Sequence, residues 1–341
     1  MERCLHLARL GAGSVSPNPM VGSVIVHGEK IIGEGFHQNH GEAHAEVNAI
    51  NAVTNHDLLK ESTLYVTLEP CAHHGLTPPC SDLIVQKQIP HVVIGTVDPF
   101  SEVAGKGIEK LIRAGIKVDV GILEDECRTL NKRFFTFHEK SRPYIILKWA
   151  QTRDGFIDME RTPENFGHPT WITASLARRL VHKIRSEEDA ILVGTVTAEK
   201  DNPSLTVRHW AGRNPVRILT DNKLRLPQTL HLFDHSEKTM VFNAVKNLNE
   251  QNLEYIKIDF PGDLITQLIT HLHTKNILSL VVEGGRQLIE TFIASGFWDE
   301  AHVFSGKTFF HKGVHAPTFQ ATLVSTEILD EDELFVFRNN Y

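Results

Sequence analysis

Cysteine, tryptophan and tyrosine are each used only four times in 341 residues. Cys4, Cys71, Cys80 and Cys127 are too few for the disulfide framework of a secreted protein. Each half of the chain is long enough to bury its own core without such staples. No apolar run approaches the roughly 20 residues of a membrane span. The opening MERCLHLARLGAG lacks the apolar segment of a signal peptide and has the spacing of an amphipathic helix. Positive charge is also in short supply. With 35 Lys+Arg against 42 Asp+Glu the formal net charge is -7, which excludes a general attraction for nucleic acid or an anionic membrane. A local basic pocket for one small phosphorylated molecule remains compatible with that balance. These absences describe a cytoplasmic protein in a reducing compartment.

What is present is the balance of a folded chain, 41% hydrophobic and 23% charged, with a length that suits two ordinary domains. Cys4, Leu5 and Ala8 share one helical face, and the glycines at 11 and 13 end it. Residues 21–26 read as a strand, 28–30 as a turn and 31–36 as the returning partner. Ala45, Val47, Ala49, Ile50 and Val53 have helical spacing. A buried strand at 64–68, a loop at 69–79, a helix at 80–88, a strand at 91–96, a helix at 107–114 and a strand at 117–121 follow. This alternation predicts an α/β sandwich around a largely parallel sheet. The polar, proline-punctuated HEKSRP at 138–143 predicts a break, giving domains at 1–140 and 141–341. Beyond it, strands are expected at 144–150, 190–193, 216–220, 238–243 and 278–282. Helices are expected at 175–186, 261–274 and 286–295, making a second, unrelated α/β domain.

The strongest chemical signal is His44-Ala45-Glu46, followed by Glu69-Pro70-Cys71 and Cys80. One imidazole and two thiolates form a zinc ligand set that leaves the fourth tetrahedral position open for water. Glu46, two residues from His44 at a helix start, can reach that position without occupying it. A carboxylate there takes a proton from water and passes it to a leaving amine. The order matches the H-x-E with P-C-x-x-C signature of zinc deaminases, its second half stretched to P-C-x8-C. Buried core thiols, or a structural zinc closed by His73 or His74, are the competing readings. Structural sites usually take four protein ligands.

PNPMVG at 17–22, GEGFH at 33–37, HAEV at 44–47, VTLEPCAHHGLTPPC at 66–80, Asp98-Pro99, VAGKG at 103–107 and Asn131-Lys132 complete a set. That set resembles the deaminase domain of bacterial bifunctional riboflavin-biosynthesis deaminase/reductases, the long HHG-x-TPPC loop being its most specific part. The resemblance implies a cytidine-deaminase-like α/β/α sandwich with Zn2+ on His44, Cys71 and Cys80 and Glu46 as proton shuttle. It further implies that Asn18, His37 and His74 orient the pyrimidine or its ribose phosphate. Two positions depart from the family: Leu76 stands where Arg or Lys is usual, and Ala72 where Ser is usual.

In the second half, VVEGGR at 281–286 runs from a strand through glycines into a helix, exposing backbone N–H groups that suit an anion. It is not G-x-G-x-x-G, so the Rossmann fingerprint is absent. Lys148-Trp149-Ala150, Asp154-Gly155, Trp171-Ile172-Thr173, Arg178-Arg179, DNPSLTVR at 201–208 and VEGG at 282–285 fall in the order of the same family's reductase domain. That domain is similar in fold to dihydrofolate reductase and uses NADPH. Carried over, Ala150, Trp171, Thr197, Asp201, Gly285, Arg286 and Gln287 line the cofactor, and Arg185, Leu205, Arg208 and Glu283 hold the substrate. An arginine fork suits phosphate; without the resemblance Arg185 and Arg208 would read as solvated surface charges. The family's S-L-D-G becomes Thr152-Arg153-Asp154-Gly155, the stretch 158–169 is lengthened, and Pro169 replaces a substrate-contacting Ser.

The activity implied by the resemblance has two steps. Zinc-dependent hydrolytic deamination of 2,5-diamino-6-ribosylamino-4(3H)-pyrimidinone 5′-phosphate is followed by NADPH-dependent reduction of ribosyl to ribityl, in a homo-oligomer. One rival is a nucleoside or nucleic-acid deaminase with an appended domain, against which stand the acidic balance and the stretched cysteine loop. Another is a non-catalytic zinc-containing binding module, which metal analysis with activity assays would separate.

Overall fold

The computed structural model describes residues 1–73, 78–100, 104–167 and 170–340. Contacts divide the chain into two units, Met1–Ser141 and Arg142–Tyr341. In the first unit α1 (Glu2–Ala8) precedes the hairpin β1 (Gly22–His27) and β2 (Lys30–Phe36), then α2 (Ala45–Asn51) and β3 (Ser62–Leu68). They are followed by α3 (Cys80–Gln86), β4 (His91–Thr96), α4 (Lys106–Arg113), β5 (Lys117–Val120), α5 (Glu124–Leu130) and α6 (Lys132–Lys140).

The sheet order is β2-β1-β3-β4-β5. β1 pairs antiparallel with β2 and with β3, whereas β3-β4 and β4-β5 are parallel. The sheet is therefore mixed, which corrects the expectation of a largely parallel one. A tight turn at Gly28, φ +58, returns the chain within two residues, and only antiparallel neighbours can be joined so briefly. Ile25, Leu64, Val66, Val92 and Ile94 of the sheet bury against Ala49 and Ile50 of α2, Ile84 of α3 and Leu111 of α4. Each such side chain contributes about 1.5–3 kcal/mol on leaving water. A Cβ on Gly35 would lie 2.4 Å from the Ala49 nitrogen and 2.6 Å from the Ala45 oxygen. Helix α2 consequently rests on the bare backbone of β2, and its first turn, carrying Glu46, is fixed there. Helix α6 runs three residues into the segment read as a break, because Phe134, Phe135 and Phe137 are buried; the chain leaves the helix at Ser141, φ +52.

The second unit contains β6 (Tyr144–Gln151), β7 (Phe156–Asp158), α7 (Ser175–Glu187), β8 (Ala190–Gly194), α8 (Thr195–Asp201), β9 (Val216–Thr220) and β10 (Thr239–Asn243). It continues with β11 (Leu248–Glu250), β12 (Leu253–Lys257), α9 (Leu264–Thr274), β13 (Ser279–Val282) and α10 (Arg286–Ser295). β14 (Glu300–Ser305), β15 (Val314–His315), β16 (Thr322–Leu329) and β17 (Asp332–Arg338) complete it. Among the described residues one sheet runs β11-β12-β10-β9-β8-β13-β6-β14-β17-β16, and β7 pairs with β15 apart from it. From β12 to β14 every pairing is parallel; β11 and the β17-β16 pair add antiparallel edges.

The central strands are apolar on both faces, as the runs AILVG and SLVV indicate, because helices cover both sides. Ile145, Leu147, Leu280 and Val282 pack against α9 and α10, and α7 closes over Phe304 and Leu334. Helix α9 starts at Leu264 rather than 261, because the Asp263 carboxylate accepts the Thr266 N–H and caps it. The carboxyl ends of β8 and β13 are tied together, Gly194 N–H donating to Gly284 O at 3.0 Å. Open α/β sheets place their ligands at that edge.

Candidate active sites

His44 precedes the first residue of α2, Cys71 follows the end of β3, and Cys80 opens α3. Nδ1 of His44 lies 3.6 Å from Cys71 Sγ and 3.3 Å from Cys80 Sγ, and the three ligand atoms lie within 4.8 Å of one another. Zinc–sulfur and zinc–nitrogen bonds of ordinary length meeting at the tetrahedral angle give an N–S edge of about 3.6 Å. The residues thus fit a zinc ion, and among the described residues this is the one group of metal-ligating side chains that converges so closely. Hydrogen bonding from Cys80, and then from His44, pulls the Cys71 thiol down to about 4 against the cost of burial. Its thiolate in turn raises the His44 imidazole above its usual range.

Glu46 is 3% exposed. Burial, then the Cys71 thiolate, lifts its carboxyl to about 7, although His44 opposes this. A carboxyl poised near neutral pH can both accept and return a proton. His37, also buried, receives a contact from Asn18 Nδ2 at 3.1 Å on Nε2 and places Nδ1 3.1 Å from Ala43 O. The carbonyl needs a donor, so the proton sits on Nδ1 and Nε2 accepts from Asn18. Burial lowers the His37 pKa and keeps the ring neutral. Its centroid is 5.3 Å from that of His44. His74 and Leu76 lie outside the described residues. Sequence reasoning gave no role to Asn131, whose buried amide clamps Met20, accepting from its N–H at 2.8 Å and donating to its carbonyl at 2.9 Å. That clamp holds the segment that carries Asn18.

In the second unit a cavity of about 510 Å³ opens at the strand ends. Ala150, Trp171, Thr197, Asp201, Gly285 and Arg286 line it, while Gln287 faces solvent away from it. Arg185, Leu205, Arg208 and Glu283 also line it, and Pro169 lies outside the described residues. Its size, and the helix α10 that begins at its edge with Arg286, suit a nucleotide cofactor such as NADPH. Trp171 is 60% exposed beneath the Arg178 guanidinium, 4.7 Å from its ring centroid. Asp201 pairs with Arg161 at 2.7 Å.

Arg185 spends its fork inside the protein, donating to both Glu283 oxygens at 3.0 and 2.8 Å. Lys148 Nζ, on a side chain 14% exposed, stands 3.7 Å from the same carboxylate. Burial raises the Glu283 carboxyl, but Arg185 and then Lys148 overcome this and hold it at about 2. Lys148 was not foreseen as a site residue, although a lysine inside YIILKWA is a visible interruption. Arg208 keeps its guanidinium toward the cavity, bonded to Thr206 Oγ1, while its backbone N–H donates to His182 Nδ1 at 3.1 Å. Burial, then Arg185 and Arg208, push the His182 ring down to about 4.

Residues 1–96 match the family described as cytidine and deoxycytidylate deaminase zinc-binding region, and residues 143–322 match the RibD C-terminal domain. The riboflavin biosynthesis protein RibD of Aquifex aeolicus is 40% identical over 319 residues, covering 92% of this chain and 88% of that protein. The protein of the same name from Synechocystis is 39% identical over 327 residues, covering 93% and 86%. A crystal structure from Thermotoga maritima, of a diaminohydroxyphosphoribosylaminopyrimidine deaminase/5-amino-6-(5-phosphoribosylamino)uracil reductase, superposes with a TM-score of 0.89. It is 37% identical and covers 99% of this chain and 97% of that one. With a zinc-type ligand set in a deaminase fold and a cofactor-sized cavity in a reductase fold, the chain belongs to the RibD family of riboflavin biosynthesis proteins.

Proposed function

We propose that the first unit, domain 1–140, hydrolytically deaminates 2,5-diamino-6-ribosylamino-4(3H)-pyrimidinone 5′-phosphate. The second, domain 141–341, reduces the ribosyl group of the product to ribityl with NADPH. The observation that carries the reading is the convergence of His44, Cys71 and Cys80 beside the buried carboxyl of Glu46. Zinc, when bound, acts as a Lewis acid that makes hydroxide accessible from water at neutral pH. Glu46 accepts the proton of the attacking water and delivers it to the departing amine, so that C–NH2 and water become C=O and ammonia. The neutral His37–Asn18 pair orients the pyrimidine, together with His74. NADPH, when bound, supplies the hydride. The second unit orients it with Ala150, Trp171, Thr197, Asp201, Gly285 and Arg286. Arg208 anchors the phosphate, and Arg185, Glu283 and Leu205 form the wall against which the sugar lies. The same reading makes the protein a cytoplasmic homo-oligomer acting on a free metabolite rather than on nucleic acid, in keeping with its net charge of -7. No described helix is long and apolar enough to cross a membrane.

The test supplies the phosphorylated diaminopyrimidinone with and without NADPH and identifies products by mass. Without NADPH the product exchanges an NH for an oxygen; with it, two hydrogens are added as well. Glu46→Gln is expected to retain zinc and lose ammonia release by about 10²–10⁴-fold. Retained turnover would remove Glu46 from the mechanism.

A further inference from the structure

The motif that supplies Cys71 also carries a carboxylate with no part in the chemistry above. Glu69 is 3% exposed. Its Oε2 accepts the backbone N–H of Asp98 at 3.3 Å and of Gly105 at 2.9 Å, and its Oε1 accepts those of Gly107 at 2.9 Å and Ile108 at 3.2 Å. Four donors fill the four lone-pair directions of an ionised carboxylate. The next residues are Pro70, whose ring fixes φ, and the ligand Cys71. A Cβ on Gly107 would lie 2.0 Å from the Pro70 oxygen, so the start of α4 abuts this segment directly. On its far side Cys71 is met by α3: Ser81 N–H donates to its carbonyl at 3.1 Å and Cys80 N–H to its Sγ at 3.3 Å.

We propose that Glu69 is a positioning residue of the deaminase, an inference that rests on the zinc-site reading given above. Its carboxylate anchors the Pro70-Cys71 segment to the Asp98 turn and to the start of α4, and so sets where the Cys71 sulfur stands. Metal binding and the order of the amides around Glu69 are then two ends of one linkage, each favouring the other. Glutamine cannot replace it: one amide oxygen serves two donors, and the NH2 group faces the other two. Aspartate keeps the charge but is one methylene short.

The test uses the full-length chain. Zinc affinity is measured by competition with a chromogenic chelator, and the thiolate-to-metal absorption is recorded on the Co(II)-loaded protein. Glu69→Gln is expected to weaken zinc at least about tenfold, the usual loss when a group orienting a ligand is removed, and to shift the cobalt–thiolate bands. NADPH oxidation on substrate that is already deaminated should keep the wild-type rate, which checks the fold of the second unit. Glu69→Asp should fall between Glu69→Gln and wild type. Wild-type zinc affinity and unshifted bands in Glu69→Gln would overturn the proposal while leaving the zinc site standing. Failure of the wild-type chain to bind zinc would overturn both readings. If the glutamine variant does not fold, hydrogen exchange on the wild type decides: zinc should slow exchange at Gly105, Gly107 and Ile108, and no slowing refutes the linkage.

Discussion

Replacing Glu283 by glutamine tests the charge network of the second unit at its centre. The carboxylate side chain is 8% exposed, accepts two bonds from Arg185 and faces Lys148. Held at about 2 against an ordinary 4.5, it is more favourable as the anion in the folded state by about 3 kcal/mol. Because the folded value is the lower one, this contribution is complete above pH 4.5 and is lost as the pH falls toward 2. Glu283→Gln removes the anion at every pH and strands two largely buried cations, for which about 3–5 kcal/mol is an upper bound. Lys148, whose pKa burial already lowers, relieves part of this by releasing its proton. About 3 kcal/mol is therefore expected at pH 7. All four tryptophans, Trp149, Trp171, Trp210 and Trp298, belong to the second unit, so their fluorescence in a urea titration reports its unfolding. With a slope of about 2–3 kcal/mol per molar urea, the midpoint should fall by roughly 1–1.5 M. Adding Lys148→Met should return part of the loss, a coupling that a double-mutant cycle reads directly. A loss below about 1 kcal/mol, or strict additivity of the two changes, refutes the reasoning.

Arg208→Gln should raise KM for the phosphorylated substrate of the reductase roughly 10–100-fold with kcat little altered, since a charged hydrogen bond contributes about 1.5–3 kcal/mol. Steady-state kinetics with an unchanged KM would assign the phosphate to another group. Asn131→Ala frees the Met20 backbone, and a several-fold rise in the deaminase KM at unchanged zinc content is expected in ammonia-release assays. The His182 ring, held near 4 against an ordinary 6.5, favours the neutral folded state. Stability of the second unit is accordingly full above pH 6.5 and declines as the pH falls toward 4. His182→Asn should flatten that decline in tryptophan-monitored urea midpoints at pH 7 and 5, and an equal decline in both proteins would discard the assignment.

Much of the candidate metal site was legible in the one-dimensional chain, because the side chains that converge there sit at fixed short spacings around local structure. His44 and Glu46 share the first turn of a helix, and Cys71 and Cys80 flank one loop. The central strands were legible for a similar reason: burial on both faces leaves continuous apolar runs such as AILVG and SLVV. The edge strand β16 was not, since seven of its eight residues are exposed and no alternation marks it. Nor did strand–helix alternation reveal that β1 pairs antiparallel with β3, a partner chosen across 34 intervening residues.

The residue types and their local order thus determined the chemistry this chain can attempt: a thiolate–imidazole metal set, a neighbouring carboxylate, and arginines for a phosphate. Only the tertiary structure decided which of those groups are free to do it. Arg185 and Arg208 look alike in sequence, yet one is consumed by Glu283 and the other faces the cavity. Glu69 and Asn131 are ordinary polar residues until folding brings them backbone groups 29 to 39 and 111 positions away. The reason is physical: burial makes every unpaired polar group costly, and whether a partner stands within 3 Å is settled by packing between distant segments.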